Sequence, residues 1–286
     1  MTRFKNIILW IIMLFLFIGM FLPVWWMLLG TFSESFTPRS FWQNIVNFDF
    51  TLKYVHNVFV SADFSRALIN SIFVAICVSI GNIIFCLMTG YAFARRRFMF
   101  KKWLFISVIM VLMVPVHIIL IPLFLEIKFF GMLDTYWALI LPFLVNPLGI
   151  FLVAQYIREI PPDLEEAARI DGASDFKILF RIVAPLCKPV LAVMTVMIFM
   201  TTWNAFLLPF ILTNSAEMRT LPVAIGNIVG RQIEYQTHFA ASTLATIPIV
   251  IVFLFFQRRI VSGIITGALK PVSYTHLRAH ETVLDL

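Results

Sequence analysis

Charge is what this 286-residue sequence has least of: Asp, Glu, Lys and Arg together make up 13% of it, against roughly 25% in an ordinary soluble domain. Hydrophobic residues supply 61% and the mean hydropathy is +0.94. A water-soluble globule is thereby excluded and an integral membrane protein indicated. Cysteine is also scarce. Cys77, Cys86 and Cys187 make no disulfide framework; the first two fall on opposite faces of one expected helix at ~100° per residue, and all three read as packing residues. No G-x-x-x-x-G-K-[ST] phosphate loop occurs, and no hydrolytic constellation of nucleophile and base, so the chain is not expected to be an enzyme. No Lys or Arg lies inside an expected span, and no intramembrane carboxylate lies near His117 in sequence.

The charge that is present is unevenly placed. A net +7 raises the possibility of nucleic acid, but the basic residues flank hydrophobic runs instead of interleaving with exposed aromatics, which is the positive-inside pattern. The runs predict an all-α polytopic membrane protein with six transmembrane helices, at about 7–30, 69–94, 104–125, 135–157, 190–212 and 238–256, each near the ~20 residues that cross a bilayer core. The first is too long for a signal-peptide core of roughly 7–15 residues and is expected to remain as an anchor. With the N-terminus inside, fifteen Lys and Arg fall on the cytoplasmic side (Arg3, Lys5, five in 95–102, five in 158–188, Arg258, Arg259, Lys270). Six fall outside: Arg39, Lys53, Arg66, Lys128, Arg219 and Arg231. Both termini and the 158–189 loop are therefore expected in the cytoplasm. The last stretch, 271–286, changes composition abruptly and reads as a non-native tail; His276 and His280 within it are a lone pair, too little for a metal site.

Near the span centres sit polar and helix-disturbing residues, among them Asn82, His117, Asn146, Thr201 and Thr202, with Asn204 close by. In hydrocarbon such groups either hydrogen-bond between helices or line a wet path, and their spacing leaves both readings open.

The loop 158–189 holds the one long polar stretch. Asp163 followed by Glu166 suggests a capping box, a helix from about Leu164, and a left-handed stop at Gly172. Leu164, Ala167, Ala168 and Asp171 then share one narrow face that fits a groove. Ser174 is positioned to cap a second helix carrying Phe176, Leu179, Phe180 and Val183, stopped by Pro185 and Pro189. On pattern alone this is equally an amphipathic loop resting on the membrane.

Glu166-Ala167-Ala168, then Gly172, Ile182 and Pro185 at their spacings, resemble the EAA motif of ABC importer permeases. EEAARIDGAS, Glu165 to Ser174, is similar to its form in maltose-type sugar permeases. The resemblance runs through roughly 5–270, including Asn70-Ser71, Gly90 to Arg95, Asp134-Thr135-Tyr136, Trp203-Asn204 and Thr220-Leu221-Pro222, and is nearer the smaller six-span subunit. Ala184 and Ala205 depart from it, standing where such permeases usually have Leu and Asp. It implies a bacterial plasma (inner) membrane importer in which this chain and a second permease form the path. A cytoplasmic ABC ATPase dimer uses the ATP and magnesium, and an extracytoplasmic solute-binding protein delivers sugar; this chain binds no cofactor of its own. In that reading Leu164, Glu166, Ala167, Ala168, Asp171 and Gly172 couple to the ATPase, Glu166 accepting its hydrogen bonds, and their motion tilts spans four and five. The rivals are a secondary transporter or channel, and a non-transporting scaffold that recruits a cytoplasmic partner.

Overall fold

The computed structural model describes residues 2–38, 40–229 and 234–268; the tail 271–286, with His276 and His280, lies outside them. Among the described residues the architecture is helical, and the only extended pairing is an antiparallel bridge between Ser33 and Phe50. Helix α1 is Thr2–Phe32, α2 Phe41–Val46, α3 Lys53–Val60 and α4 Ala62–Arg95. Helices α5, Lys101–Val111, and α6, Val116–Phe129, follow. Then α7, Tyr136–Ile140, runs through a 3-10 turn into α8, Pro147–Glu159. The polar loop holds α9, Asp163–Ile170, and α10, Asp175–Ile178; a π turn over Leu179–Val183 joins α10 to α11, Ala184–Leu186. Helices α12, Lys188–Trp203, α13, Leu207–Leu212, α14, Leu221–Val229, and α15, Tyr235–Ala268, complete it.

Helices α1, α4 and α15 each contain a stretch long and apolar enough to cross a membrane, and counting each of three bent helix pairs as one span raises the number to six. The third span differs from expectation. Instead of one rod over 104–125, α5 and α6 meet at 101°. Pro115 explains the break: it has no N–H to give, it is extended (φ −62°, ψ 134°) as the residue before α6, and it disfavours helix at Val114. The fourth span bends by 40° between α7 and α8, where Pro147 begins a new helix and Asn146 caps it. The fifth is interrupted too, since α12 ends at Trp203 and α13 resumes at Leu207.

Helix α4 is the centre of the bundle. A Cβ on Gly90 would lie 2.7 Å from Val153 Cγ1 and 3.1 Å from the Ala154 nitrogen, so α4 and α8 touch through the absence of a side chain, the close approach that small residues permit between membrane helices. Around that contact Cys86, Leu87 and Tyr91 of α4 bury against Val153 and Ile157 of α8, Met194 of α12, and Ile178 and Val183 of the polar loop. The core thus continues past the spans and into the loop. A second cluster joins Phe64 and Ala67 of α4 to Phe199, Trp203, Leu221, Ala240 and Ala241. Helix α1, by contrast, exposes Trp10, Phe15 and Phe17, side chains that only hydrocarbon accommodates cheaply in such density.

Candidate functional site: an anchored short helix and a polar cavity

Helix α9 begins one residue earlier than expected and without a capping box. Asp163 is its first helical residue, Pro162 precedes it, and no side chain caps the start. The Pro162 carbonyl instead accepts from the Glu165 and Glu166 N–H groups, at 2.9 and 3.1 Å. Asp163, Glu165 and Glu166 still place negative charge at the positive end of the helix dipole. The stop is as the sequence predicts: Gly172 has φ +77°, its N–H donates to the Arg169 carbonyl at 3.0 Å, and the Ala173 N–H reaches back to Ala168 at 2.9 Å. That bond pair is a Schellman motif. Beyond it, Ser174 makes no side-chain cap, and Pro185 lies within α11 instead of ending it; the chain turns by 80° only at Cys187.

What fixes α9 in space is an acid that sequence reasoning passed over. Glu165 is 3% exposed. Its Oε1 accepts from Arg95 Nε at 2.7 Å, and its Oε2 accepts from the Tyr91 hydroxyl at 2.9 Å. Arg95 also donates to the Ile160 carbonyl, so one guanidinium ties the end of α4 to both the entry and the first turn of α9. A second bond set lies beside it. Arg96 pairs with Asp175, while Arg169 Nε stands 3.8 Å from the same carboxylate. The hydrogen bond that Arg96 donates to Asp175 holds its guanidinium above the ordinary pKa, and that guanidinium lies 5.5 Å from the centre of the Tyr91 ring. Glu165 is the buried charge of the set, and it is tolerable there because Arg95 and Tyr91 both pair with it.

The inward face of α9 is therefore Glu165 together with Ala168, which packs against the core. Ala168 was expected on the docking face and is turned away from it; a helix that buries position 165 necessarily turns 168 the same way. The free surface consists of Leu164, Glu166, Ala167, Ile170, Asp171 and Gly172, with Ile170 almost wholly exposed at 87%. Phe176 and Phe180, exposed and stacked on each other at 6.5 Å, extend that surface. The signal that could have found the anchor was the doublet Glu165-Glu166, one acid more than a docking face needs, together with Arg95 at the end of a long apolar run.

On the flank of the bundle an open pocket of about 480 Å³ lies beside the α5–α6 break, with exposed Val111, Leu112, Val114 and Val116 along its rim. Its walls are apolar except for Asn82, Asn146, Thr201 and Thr202, four of the residues the sequence singled out. Asn82 donates to the Val78 carbonyl at 3.1 Å and to that of Phe143. Asn146 accepts from the Leu148 and Gly149 N–H groups, and Thr201 donates to the Met197 carbonyl at 2.9 Å. Asn82, Asn146 and Thr201 thus each have a structural bond as well as a cavity face. The other two stand apart: His117 is exposed on the first turn of α6, and Asn204, exposed after α12, donates back to Met200. Among the described residues no group of three or more His, Cys, Asp or Glu is placed to hold a metal ion.

At the end of the bundle away from α9, the segments between spans are stitched to α4. Asn70 donates to the Glu217 and Arg219 carbonyls at 2.7 and 3.0 Å and accepts from the Tyr136 hydroxyl at 2.7 Å. Ser71 Oγ accepts from the Leu221 N–H at 2.7 Å. Asp134, with φ +59°, accepts from the Asn214 and Ser215 N–H groups at 2.9 and 3.0 Å. Burial alone would push its carboxyl up; these N–H donors outweigh it and leave the pKa below the ordinary value.

Residues 83–266 match a family model described as "Binding-protein-dependent transport system inner membrane component". The trehalose transport system permease protein SugB of Mycobacterium tuberculosis is 36% identical over 256 residues, covering 87% of this chain and 92% of its own. The arabinooligosaccharides transport system permease protein AraQ of Bacillus subtilis is 35% identical over 202 residues, 70% of this chain and 72% of its own. In fold, the chain is similar to one from the crystal structure of a bacterial ABC transporter that imports alginate, with a TM-score of 0.80 at 22% identity over 90% of this chain and 96% of that one.

Proposed function

The chain belongs to the family of inner membrane components of binding-protein-dependent transport systems, and from that membership we propose that it is one of two permease subunits of an ATP-driven carbohydrate importer. The observation that carries the mechanism is the anchoring of α9 to the end of α4 through Glu165, which leaves Leu164, Glu166, Ala167 and Ile170 free on the opposite face. A short helix fixed at one side and bare at the other is a docking element. We assign it to a groove on a cytoplasmic ATPase, which binds the ATP and magnesium; this chain contributes no catalytic residue and no cofactor.

Force applied to α9 passes through Arg95 and Tyr91 into α4, and through the buried contacts of Ile178 and Val183 into α8 and α12. Helix α4 lines the cavity through Val78 and Asn82, so its displacement changes the shape of that cavity. The expected tilt of spans four and five is thereby joined by a movement of α4. Alternating access then needs two packings of α4 against its neighbours, biased by the nucleotide state of the ATPase. The excess of Lys and Arg beside α9 supports a cytoplasmic position for it and for both termini. The second permease supplies the facing wall of the path, and an extracytoplasmic binding protein delivers the sugar at the end where Asn70, Ser71 and Asp134 gather. Relatives named for trehalose and arabinooligosaccharides support carbohydrate as the cargo.

Ala167→Cys tests the docking face. In membranes containing the whole importer it is expected to cross-link to the ATPase subunit and, once cross-linked, to stop ATP-driven sugar uptake. Cysteine at Ala168, which faces the core, is expected to cross-link poorly. Efficient capture of the ATPase from 168 with none from 167 would reverse the assigned face. Sugar flux without ATP would instead favour a secondary transporter.

A further inference from the structure

We propose that Arg97, Lys101 and Arg158 form a seat for the phosphate of an anionic phospholipid, drawn from the leaflet on the α9 side of the bilayer. The three cations arrive from three elements. Arg97 follows the end of α4, Lys101 opens α5, and Arg158 lies in the last turn of α8. The turn 96–100 between α4 and α5 is short, and Lys101 Nζ closes it by donating to the Arg96 carbonyl at 2.8 Å. Arg158 is fixed differently: its guanidinium lies 5.1 Å from the centre of the Phe105 ring, within cation–π range, and Phe105 in turn packs on Phe93 of α4.

The charges that act on the Lys101 amine are those of Arg158 and Arg97, both of its own sign. The first turn of α5 holds no acid, and Asp175 across the corner is taken by Arg96 and Arg169. Glu159 follows Arg158 in sequence, yet it is not among the charges that act on Lys101. Cations gathered in this way repel one another until an anion joins them. A phosphodiester carries one full charge and two free oxygens, which accept charge-assisted bonds from ammonium and guanidinium donors.

The surroundings say where that phosphate comes from. Met99, Phe100, Trp103 and Leu104 stand exposed on the same corner. Bare aromatic and apolar side chains mixed with cations belong at the headgroup level of a bilayer, where acyl chains cover the first and lipid phosphates meet the second. A free phosphate satisfies the cations but leaves Phe100 and Trp103 in water. The corner is also where α9 is anchored, since Arg95 and Arg96, just before Arg97, hold Glu165 and Asp175. A lipid seated there stiffens the fixed end of the lever.

The test uses the whole importer in detergent, with native mass spectrometry counting the lipids retained after equal exposure to phosphatidylglycerol and phosphatidylcholine. Wild type is expected to hold phosphatidylglycerol under conditions that strip phosphatidylcholine, and to melt at a higher temperature with it bound. Arg97→Gln combined with Arg158→Gln is expected to lose one tightly held phosphatidylglycerol per complex. Lys177→Gln combined with Arg181→Gln removes the same charge from exposed positions of the polar loop and is expected to keep it. Should the first pair fail to assemble, Arg97→Glu, at an exposed side chain, takes its place and is expected to give the same loss. Equal retention by wild type and the substituted importer overturns the seat. Thermal protection by inorganic phosphate equal to that by phosphatidylglycerol also overturns it, as a site for the bare anion. Unchanged lipid retention with a fall in ATP-driven uptake would assign the cations to the ATPase contact and overturn the lipid. Lipid retention is read without any cargo, so the seat stands or falls apart from the carbohydrate reading.

Discussion

Arg95 at the last residue of α4 and Glu165 in the first turn of α9 lie seventy residues apart in sequence and 2.7 Å apart in space, with the carboxylate buried. The pair makes the polar loop part of the bundle: α9 cannot shift without moving Arg95 or leaving a charge unpaired. A lever that transmits force needs this stiffness at its fixed end.

Breaking the pair from one side is expected to destabilise the protein by about 3–5 kcal/mol, because the surviving charge stays buried. Glu165→Met alone and Arg95→Met alone are each expected to lower the thermal unfolding midpoint of the detergent-solubilised importer. The double substitution should recover much of the loss, since it removes both charges and fills the space. A double substitution whose effect equals the sum of the two singles would show that the residues do not act as a unit.

Gly172→Val forces a β-branched residue into a left-handed backbone, at a cost of about 1–2 kcal/mol, and opens the two bonds that close α9. Sugar uptake is expected to fall much more than the amount of assembled importer, because the helix survives while its exit angle changes. Uptake and ATPase rates both at wild-type level would remove Gly172 from the coupling mechanism.

Gly90→Ala brings a methyl group into Val153 and close to the backbone of Ala154. Overpacking of this kind costs roughly 1–3 kcal/mol. Adding Val153→Ala to it should restore part of the stability, measured by thermal unfolding, since it clears the nearest atoms while leaving the backbone contact.

Asp134 gives the loops at the far end an acid dependence. Its folded pKa lies below the unfolded value, so the folded state binds fewer protons. Its stabilising contribution is present above the unfolded carboxylate pKa and is lost as pH falls through the lower folded one. Asp134→Asn is expected to flatten the fall in stability below about pH 4, the ordinary carboxylate range, when melting temperature is followed from neutral to acid pH.

Sequence alone determined what depends on local pattern: a helical membrane protein, read from apolar runs; a short helix ending at Gly172, read from a residue that tolerates positive φ; and the polar residues at mid-span, four of which line one cavity. Tertiary structure decided what depends on partners remote in the chain. Whether Glu165 faces water or the core is settled by Arg95 and Tyr91, and once it turns inward Ala168 must follow. The break of the third span was written in Pro115, yet its 101° angle, and the pocket that it and α4 line together, are visible only in three dimensions.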